Sequence, residues 1–233
     1  MAKSDNEERE QRILDVAADL FVHYGYDKTT VDDIAREAGI SKGAIYLHFK
    51  SKDELLEGLI IRELQAYAEK WLELLEVDPK GGAIAAMYKN SLYALSSSPF
   101  MAAMFKQDGR VLGNYLRKPD NFFRNLRSKQ KESDRLVFVK LMQEAGAIRQ
   151  DIDPKVIAHI MDILAYGLVG MDGLVAREYI PPVDDLIEGI AAIMDKALTP
   201  DDGGNPEAGK AIIRQISEAT RHQFEQMRQS KQG

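Results

Sequence analysis

The side chains best suited to binding chemistry lie in one short segment near the N-terminus, where Lys42, Gly43, Tyr46 and His48 are expected to face outward from a helix. A lysine at the start of such a helix can donate to O6 or N7 of guanine in the major groove of DNA. Gly43 lets the backbone approach a base closely, and Leu47 can touch a thymine methyl group. This set of residues indicates recognition of double-stranded DNA.

Capping residues predict the helices that must position this segment. Thr30 and Asp33 fit the Ser/Thr-x-x-Asp/Glu capping pattern, Gly39 supplies a turn, and Ser41 caps the next helix. A second capping pattern at 51–54 starts a third helix. The spacing of the apolar residues predicts the inner faces of the first two helices: Val31, Ile34, Ala35, Ala38, Ala44, Ile45 and Phe49. The segment is typical of a helix-turn-helix with a supporting helix.

The string GISKGAIYLHFKSKDEL, residues 39–55, resembles the signature of the TetR (tetracycline repressor) family of bacterial transcriptional regulators. The resemblance extends over residues 10–60. It implies a dimer that binds an operator. It also implies a helical body that senses a small molecule and varies with that ligand. It implies phosphate contacts for Thr30, Ser41, Tyr46, His48 and Lys52. The helix start at Lys52 also favours phosphate. Each of these residues is open to a second interpretation as a solvated surface group, and Tyr46 as a packing residue.

Composition limits the remaining classes of protein. The chain has 233 residues, of which 45% are hydrophobic and 29% charged, as in an ordinary globular protein. The net charge of -6 argues against a general polyanion binder, so the positive charge of Arg36, Lys42, Lys50 and Lys52 must act locally. The charged start MAKSDNEEREQR predicts no secretory signal, and the absence of cysteine suits a cytoplasmic location. The most apolar stretch, residues 156–176, contains Asp162 and Asp172. These acidic residues favour a buried helix over a membrane span.

We expect an all-α fold, because helical patterns continue to the end of the chain and no stretch shows sustained alternation of period two. A long helix beginning after Ser51 would join the DNA-binding part to the body. Besides a first helix at 5–24, helices are expected near 81–97, 99–116, 120–147, 154–178, 183–198 and 206–229. The expected domains are a three-helix DNA-binding domain at 1–51, a larger ligand-binding and dimerisation domain at 52–199, and a linker with an extra helix at 200–233.

Two of these helices, at 154–178 and 183–198, are expected to form a homodimer interface. Their large apolar residues are Ile157, Ile160, Ile163, Leu164, Leu168, Leu186, Ile190 and Ile193. Small residues between them let helix axes approach closely. A monomeric core would show the same pattern, but the family resemblance implies a four-helix bundle about a two-fold axis. The apolar stripe of the helix at 206–229, which includes Ile212, Ile216 and Met227, would either cover the body or extend the interface.

The middle of the chain is rich in methionine and aromatic residues, which suit an adaptable binding cavity. The candidates for its lining are Tyr88, Phe100, Met104 and Tyr166. They predict a bulky effector that is apolar or aromatic. Each of them has a second interpretation as a plain core residue.

Enzyme and metal chemistry receive no support from the sequence. The four histidines lack metal-ligand spacing, and we interpret His159 with Asp162 as a buried hydrogen-bonded pair. No nucleophile, P-loop or dinucleotide motif is present, so we expect no cofactor and no catalysis. The sequence thus favours a ligand-responsive repressor, released from a palindromic operator by its effector. A helical small-molecule-binding protein without operator binding and a helical enzyme are the alternatives.

Overall fold

The computed structural model describes residues 2–171 and 175–232, with side chains at 5–171, 175–176, 178–223 and 226. Its α-helices are α1 (Ala2–Tyr24), α2 (Val31–Glu37), α3 (Lys42–Tyr46), α4 (Lys52–Val77), α5 (Ile84–Ser96), α6 (Pro99–Phe105), α7 (Gly109–Leu112), α8 (Phe122–Lys129), α9 (Asp134–Glu144), α10 (Pro154–Gly170), α11 (Val183–Leu198) and α12 (Pro206–Gln232). Short 3-10 turns cover Gly113–Arg117 and Arg177–Tyr179. The described part contains no β-strand, and the predicted all-α fold is confirmed.

The chain folds into two compact units. The first consists of residues up to 64 together with 98–129, and the second of 65–97 together with the residues from 130 onward. The division falls within α4. The two units are groups of residues that pack together, and they do not define functions. The functional domains at 1–51, 52–199 and 200–233 therefore remain a prediction.

The first unit is built around α1, on which α2, α6 and α7 pack, while α3 packs on α2. Its core contains Ile13, Leu14, Ala17 and Phe21 of α1, Ile34 of α2, Ile45 of α3, and Leu55, Leu56 and Leu59 of α4. Burying one such large apolar side chain contributes about 1.5–3 kcal/mol. This shared core therefore holds the short helices α2 and α3, which are too short to be stable alone.

The loop between α1 and α2 lies directly against α7. Gly25 follows α1 with a φ of +85°, and a Cβ atom at this position would lie 2.4 Å from the carbonyl oxygen of Arg110. The next residue, Tyr26, donates its backbone N–H to the carbonyl of Val111 at 2.8 Å. Only glycine combines this backbone conformation with so close an approach. The α7 segment is thus part of the support of the helix-turn-helix.

In the second unit, α5 packs on α11 and α9 packs on α10. Helix α12 packs against α9, and its Arg214 forms hydrogen bonds of 2.6 and 2.8 Å with Glu76 of α4. Ile213 of α12 is fully buried. The first half of α12 therefore covers the second unit, which is one of the two roles left open by the sequence. The predicted stripe residue Met227 lies outside the described side chains.

Two predicted helices are divided, and a third ends early. The helix predicted at 99–116 breaks after Phe105, because Gln107 adopts a φ of +49° and Asp108 caps α7. The helix predicted at 120–147 is interrupted after Lys129, since Ser133 caps α9 by accepting the N–H of Leu136 at 3.2 Å. The helix predicted at 154–178 ends at Gly170, and 172–174 lie outside the described residues.

Candidate nucleic-acid interface

The helix-turn-helix begins with a reciprocal cap at Thr30. Its hydroxyl oxygen accepts the backbone N–H of Asp33 at 3.1 Å, and the carboxylate of Asp33 accepts the backbone N–H of Thr30 at 3.0 Å. The Thr30 hydroxyl also donates to this carboxylate, and Arg36 lies 2.6 Å from it. These hydrogen bonds, with that from Thr30 the largest cause, lower the pKa of Asp33 to about 2. The start of α2 is therefore fixed by an ionised carboxylate at neutral pH.

The turn and the cap of α3 agree with the pattern of the sequence. Gly39 has a φ of +66°, and the hydroxyl of Ser41 accepts the N–H of Ala44 at 3.2 Å. Ile45 faces the core and is buried. The opposite side of α3, with Lys42, Gly43 and Tyr46, is exposed to solvent.

The exposed end of α3 has an apolar and a cationic part. Leu47, the C-terminal cap, is 83% exposed, and Tyr46 is 45% exposed. The ammonium of Lys42 lies 2.7 Å from the carboxylate of Asp32, a hydrogen bond that raises the pKa of Lys42. A Cβ atom added to Gly43 would meet only the Ser41 hydroxyl, at 3.8 Å. This face can therefore approach a base edge with its backbone as well as with its side chains.

His48 does not face outward as expected. Its side chain is only 4% exposed, and Nδ1 lies 3.8 Å from the carboxylate of Glu10 on α1. The reason is that α3 ends at Tyr46, so His48 no longer follows the outer side of that helix. In this conformation its imidazole packs inside the first unit.

Lys52 also differs from the expected phosphate contact. Its Nζ donates to the backbone carbonyls of Tyr26 at 2.8 Å and Thr29 at 3.0 Å. The same nitrogen lies 4.0 Å from the centroid of the Tyr26 ring. Burial lowers the pKa of Lys52, although Asp27 and Asp53 oppose this shift.

A polar network around Asp53 was not predicted. The carboxylate of Asp53 accepts hydrogen bonds from the Tyr26 hydroxyl and from Lys118. Burial opposes the charge of Asp53, but the hydrogen bonds from Lys118 and Tyr26 outweigh it and hold its pKa below the ordinary value. Burial is also the largest cause of the raised pKa of Tyr26. The partners are 27 and 65 positions apart, so no local pattern could have indicated them.

The four predicted ligand-binding residues are divided between the units. Phe100 and Met104 are buried in α6 of the first unit, whereas Tyr88 and Tyr166 belong to the second. The Tyr88 hydroxyl donates to the carbonyl of Met161, and burial raises the pKa of Tyr88 to about 12. Tyr166 is 54% exposed on α10.

A cavity of 240 Å³ lies between α5 and α11 in the second unit. Its lining combines alanines of both helices with charged residues, among them Asp78, Lys89 and Glu188. None of the four predicted residues lines it. Among the side chains that the structure describes, no group of three or more histidines or carboxylates is placed to hold a metal ion.

The predicted dimer helices carry several exposed apolar side chains. On α10 these are Val156, Ile160, Ile163 and Tyr166, and on α11 they include Ile193, which is 64% exposed. A Cβ atom added to Gly167 or Gly189 would meet no atom within 4 Å. Ile157, which was assigned to the interface, is instead buried within the chain. Large apolar patches of this kind mark interaction surfaces.

A capped helix-turn-helix with an exposed recognition helix, within an all-helical chain, defines a DNA-binding protein of the helix-turn-helix class. The sequence profile described as "Bacterial regulatory proteins, tetR family" matches residues 13–59. This match confirms the resemblance to the family that residues 39–55 indicate.

Individual relatives agree with this similarity. The HTH-type transcriptional repressor Rv1474c of Mycobacterium tuberculosis is 29% identical over 174 residues, which are 72% of this chain and 81% of that protein. The uncharacterized HTH-type transcriptional regulator YuxN of Bacillus subtilis is 37% identical over 89 residues, which are 38% of this chain and only 29% of YuxN.

The fold is shared with solved structures. The crystal structure of FadR from Bacillus subtilis in complex with stearoyl-CoA is similar with a TM-score of 0.58 and 17% identity. The similarity covers 79% of this chain and 96% of FadR. Within the described residues, no helix has the length and apolar character needed to cross a membrane.

Proposed function

We propose that the protein is a ligand-responsive transcriptional repressor that binds a palindromic operator in bacterial DNA as a homodimer. The observation that carries this proposal is the exposed face of α3, where Lys42, Gly43, Tyr46 and Leu47 lie together behind the Ser41 cap. A recognition helix reads base edges with residues near its N-terminus. Lys42 would donate to guanine, and Leu47 would contact a thymine methyl group.

The phosphate contacts of the proposal are restricted to residues that are accessible. Thr30 and Ser41 are exposed at the starts of α2 and α3, and Tyr46 is exposed on the same side as Lys42. These three residues would fix the register of the protein on the DNA backbone. His48 and Lys52 would contact phosphate only after leaving their intramolecular partners.

The dimer would form through the exposed apolar faces of α10 and α11. An isologous interface brings each face against its own copy, so that Ile160, Ile163 and Ile193 become buried. Their exposure in the single chain supports this surface. Two recognition helices related by a two-fold axis would then enter successive major grooves about 34 Å apart.

The effector would be a small molecule with a large apolar or aromatic part, taken up by the helical body. The methionine and aromatic side chains of the middle region support this class of ligand, and the stearoyl-CoA bound to FadR has such a part. Tyr88, Phe100, Met104 and Tyr166 stay candidates for contacts in the bound state. We place the site of action in the cytoplasm, where bacterial chromosomal DNA lies, and assign the protein no catalytic activity.

Selection from a random duplex library tests this function. The wild-type protein should enrich one near-palindromic sequence, whose half-sites lie about 10 base pairs apart from centre to centre. Enrichment of no sequence, with the free protein and in the presence of bound apolar compounds, would contradict the proposal. A protein that binds such compounds but selects no DNA would be a helical small-molecule-binding protein instead.

A further inference from the structure

One side chain joins the two ends of the helix-turn-helix. Lys52 is the first residue of α4, directly behind the turn that follows α3. Its ammonium donates to the carbonyl of Thr29 at 3.0 Å, and the next residue, Thr30, caps α2. A second hydrogen bond, of 2.8 Å, holds the carbonyl of Tyr26. The loop before α2 and the start of α4 are thus bridged, with α2, the turn and α3 between them.

The ammonium of Lys52 is enclosed as well as hydrogen-bonded. It lies 4.0 Å from the centroid of the Tyr26 ring, where a cation is attracted by the π-electrons. That ring is in turn fixed by its hydroxyl, which donates to Asp53. Asp53 also accepts a hydrogen bond from Lys118, and the carboxylate of Asp27 accepts the backbone N–H of Asn114 at 3.1 Å. Residues from 26 to 29 are therefore held from two sides within the first unit.

This arrangement competes with a direct contact to DNA. A lysine ammonium has three N–H donors, and Lys52 directs hydrogen bonds to two carbonyls while the aromatic ring occupies a further side. A phosphate on the third donor would have to compete with the Tyr26 ring for the ammonium. Lys50, by contrast, is an exposed lysine two positions earlier in the same turn.

We propose that Lys52 is a positioning residue: it supports DNA binding by fixing the loop between α1 and α2 to the start of α4, and not by contacting a phosphate. The proposal deepens the proposed function, because it assigns a role to one residue of the same site. Lys52→Met keeps most of the side-chain length and removes all three donors. Lys52→Gln keeps an amide donor without the charge, and Lys50→Met is the matched control.

Hydrogen exchange of the free full-length protein tests the positioning role without any DNA. In Lys52→Met, the amides of residues 26–38 should exchange about tenfold faster or more, as expected for the loss of hydrogen bonds to a charged group. Lys52→Gln should recover part of the protection, and Lys50→Met should match the wild type. If both Lys52 variants were unfolded while Lys50→Met remained folded, the result would also support the bridge that Lys52 forms between the loop and α4. Unchanged exchange in Lys52→Met would overturn it.

The salt dependence of DNA binding separates the two roles of the lysine. A lost phosphate contact reduces the slope of log K against log salt by about 0.9. With a generic duplex and then with a selected operator, Lys52→Met should bind more weakly than the wild type but keep the wild-type slope. If the slope fell by about 0.9 per protomer while hydrogen exchange stayed normal, Lys52 would be a phosphate ligand. Absence of any wild-type DNA binding would remove the proposed function, and the exchange result would still decide the role of Lys52.

Discussion

Lys42 and Asp32 form an ion pair across the helix-turn-helix, with Nζ of the lysine 2.7 Å from the carboxylate. The cation proposed to read a base is therefore held by an acid of α2 in the free protein. DNA must compete with this acid for Lys42.

The first prediction is that Asp32→Asn strengthens operator binding. An exposed ion pair is weak, so its removal should raise the affinity by up to about fivefold. Fluorescence anisotropy with a labelled operator would measure the change. Glu37→Gln is the control, because it removes the same charge from the exposed side of α2. Equal gains in both variants would show a general electrostatic effect and would contradict release of Lys42.

The second prediction uses the open space beside Gly43. Gly43→Ala should leave the fold intact or raise the melting temperature, because alanine favours a helix by about 1 kcal/mol over glycine. The same methyl group should weaken operator binding, since it would stand between the backbone and the base. The control is Gly109→Ala in α7, which also has open space around its Cβ position. Unchanged operator affinity in Gly43→Ala would exclude a close backbone approach.

The third prediction concerns the dimer. Ile193→Asp should give monomers with weakened operator binding, because an isologous interface would bury the new carboxylate twice, at a cost of several kcal/mol. The single chain should tolerate the change, since Ile193 is exposed. Sedimentation and circular dichroism would measure association and helical content. Val137→Asp, at an exposed apolar residue of α9, should remain a dimer. A dimeric Ile193→Asp would place the interface elsewhere.

The fourth prediction is a pH dependence of the α2 cap. Because the pKa of Asp33 falls from 3.8 to about 2 on folding, its contribution to stability is present above the unfolded pKa and disappears as the pH falls through 2. Asp33→Asn should therefore be less stable than the wild type by a constant amount above pH 4, and the difference should vanish towards pH 2. Denaturant titrations at several pH values would measure this. A difference independent of pH would assign the effect to the cap geometry alone.

The local features of the site could be predicted from the sequence, because each depends on residues a few positions apart. Thr30, Ser41 and Gly39 lie at the predicted caps and turn, and α11 has the predicted bounds of 183–198. The all-α fold also follows from local periodicity.

Long-range contacts could not be predicted in the same way. The hydrogen bonds of Lys52 join residues 23 and 26 positions apart, and those of Asp53 reach Lys118. The inward position of His48 places its imidazole 3.8 Å from Glu10 of another helix. The break at Gln107 requires a positive φ, which a glutamine in the sequence does not indicate. Periodicity and capping patterns contain no information on such contacts.

In the proposed function, α3 reads bases of a palindromic operator through Lys42. Repeating the random-duplex selection with Lys42→Ala tests it most directly, with the wild type selected in parallel. The mutant should enrich the same palindrome but lose the preference for guanine at one pair of symmetric positions, with a cost of about 1–3 kcal/mol on the wild-type operator. A mutant consensus identical to the wild-type consensus at every position, with unchanged affinity, would contradict the assignment of Lys42 as a base-reading residue.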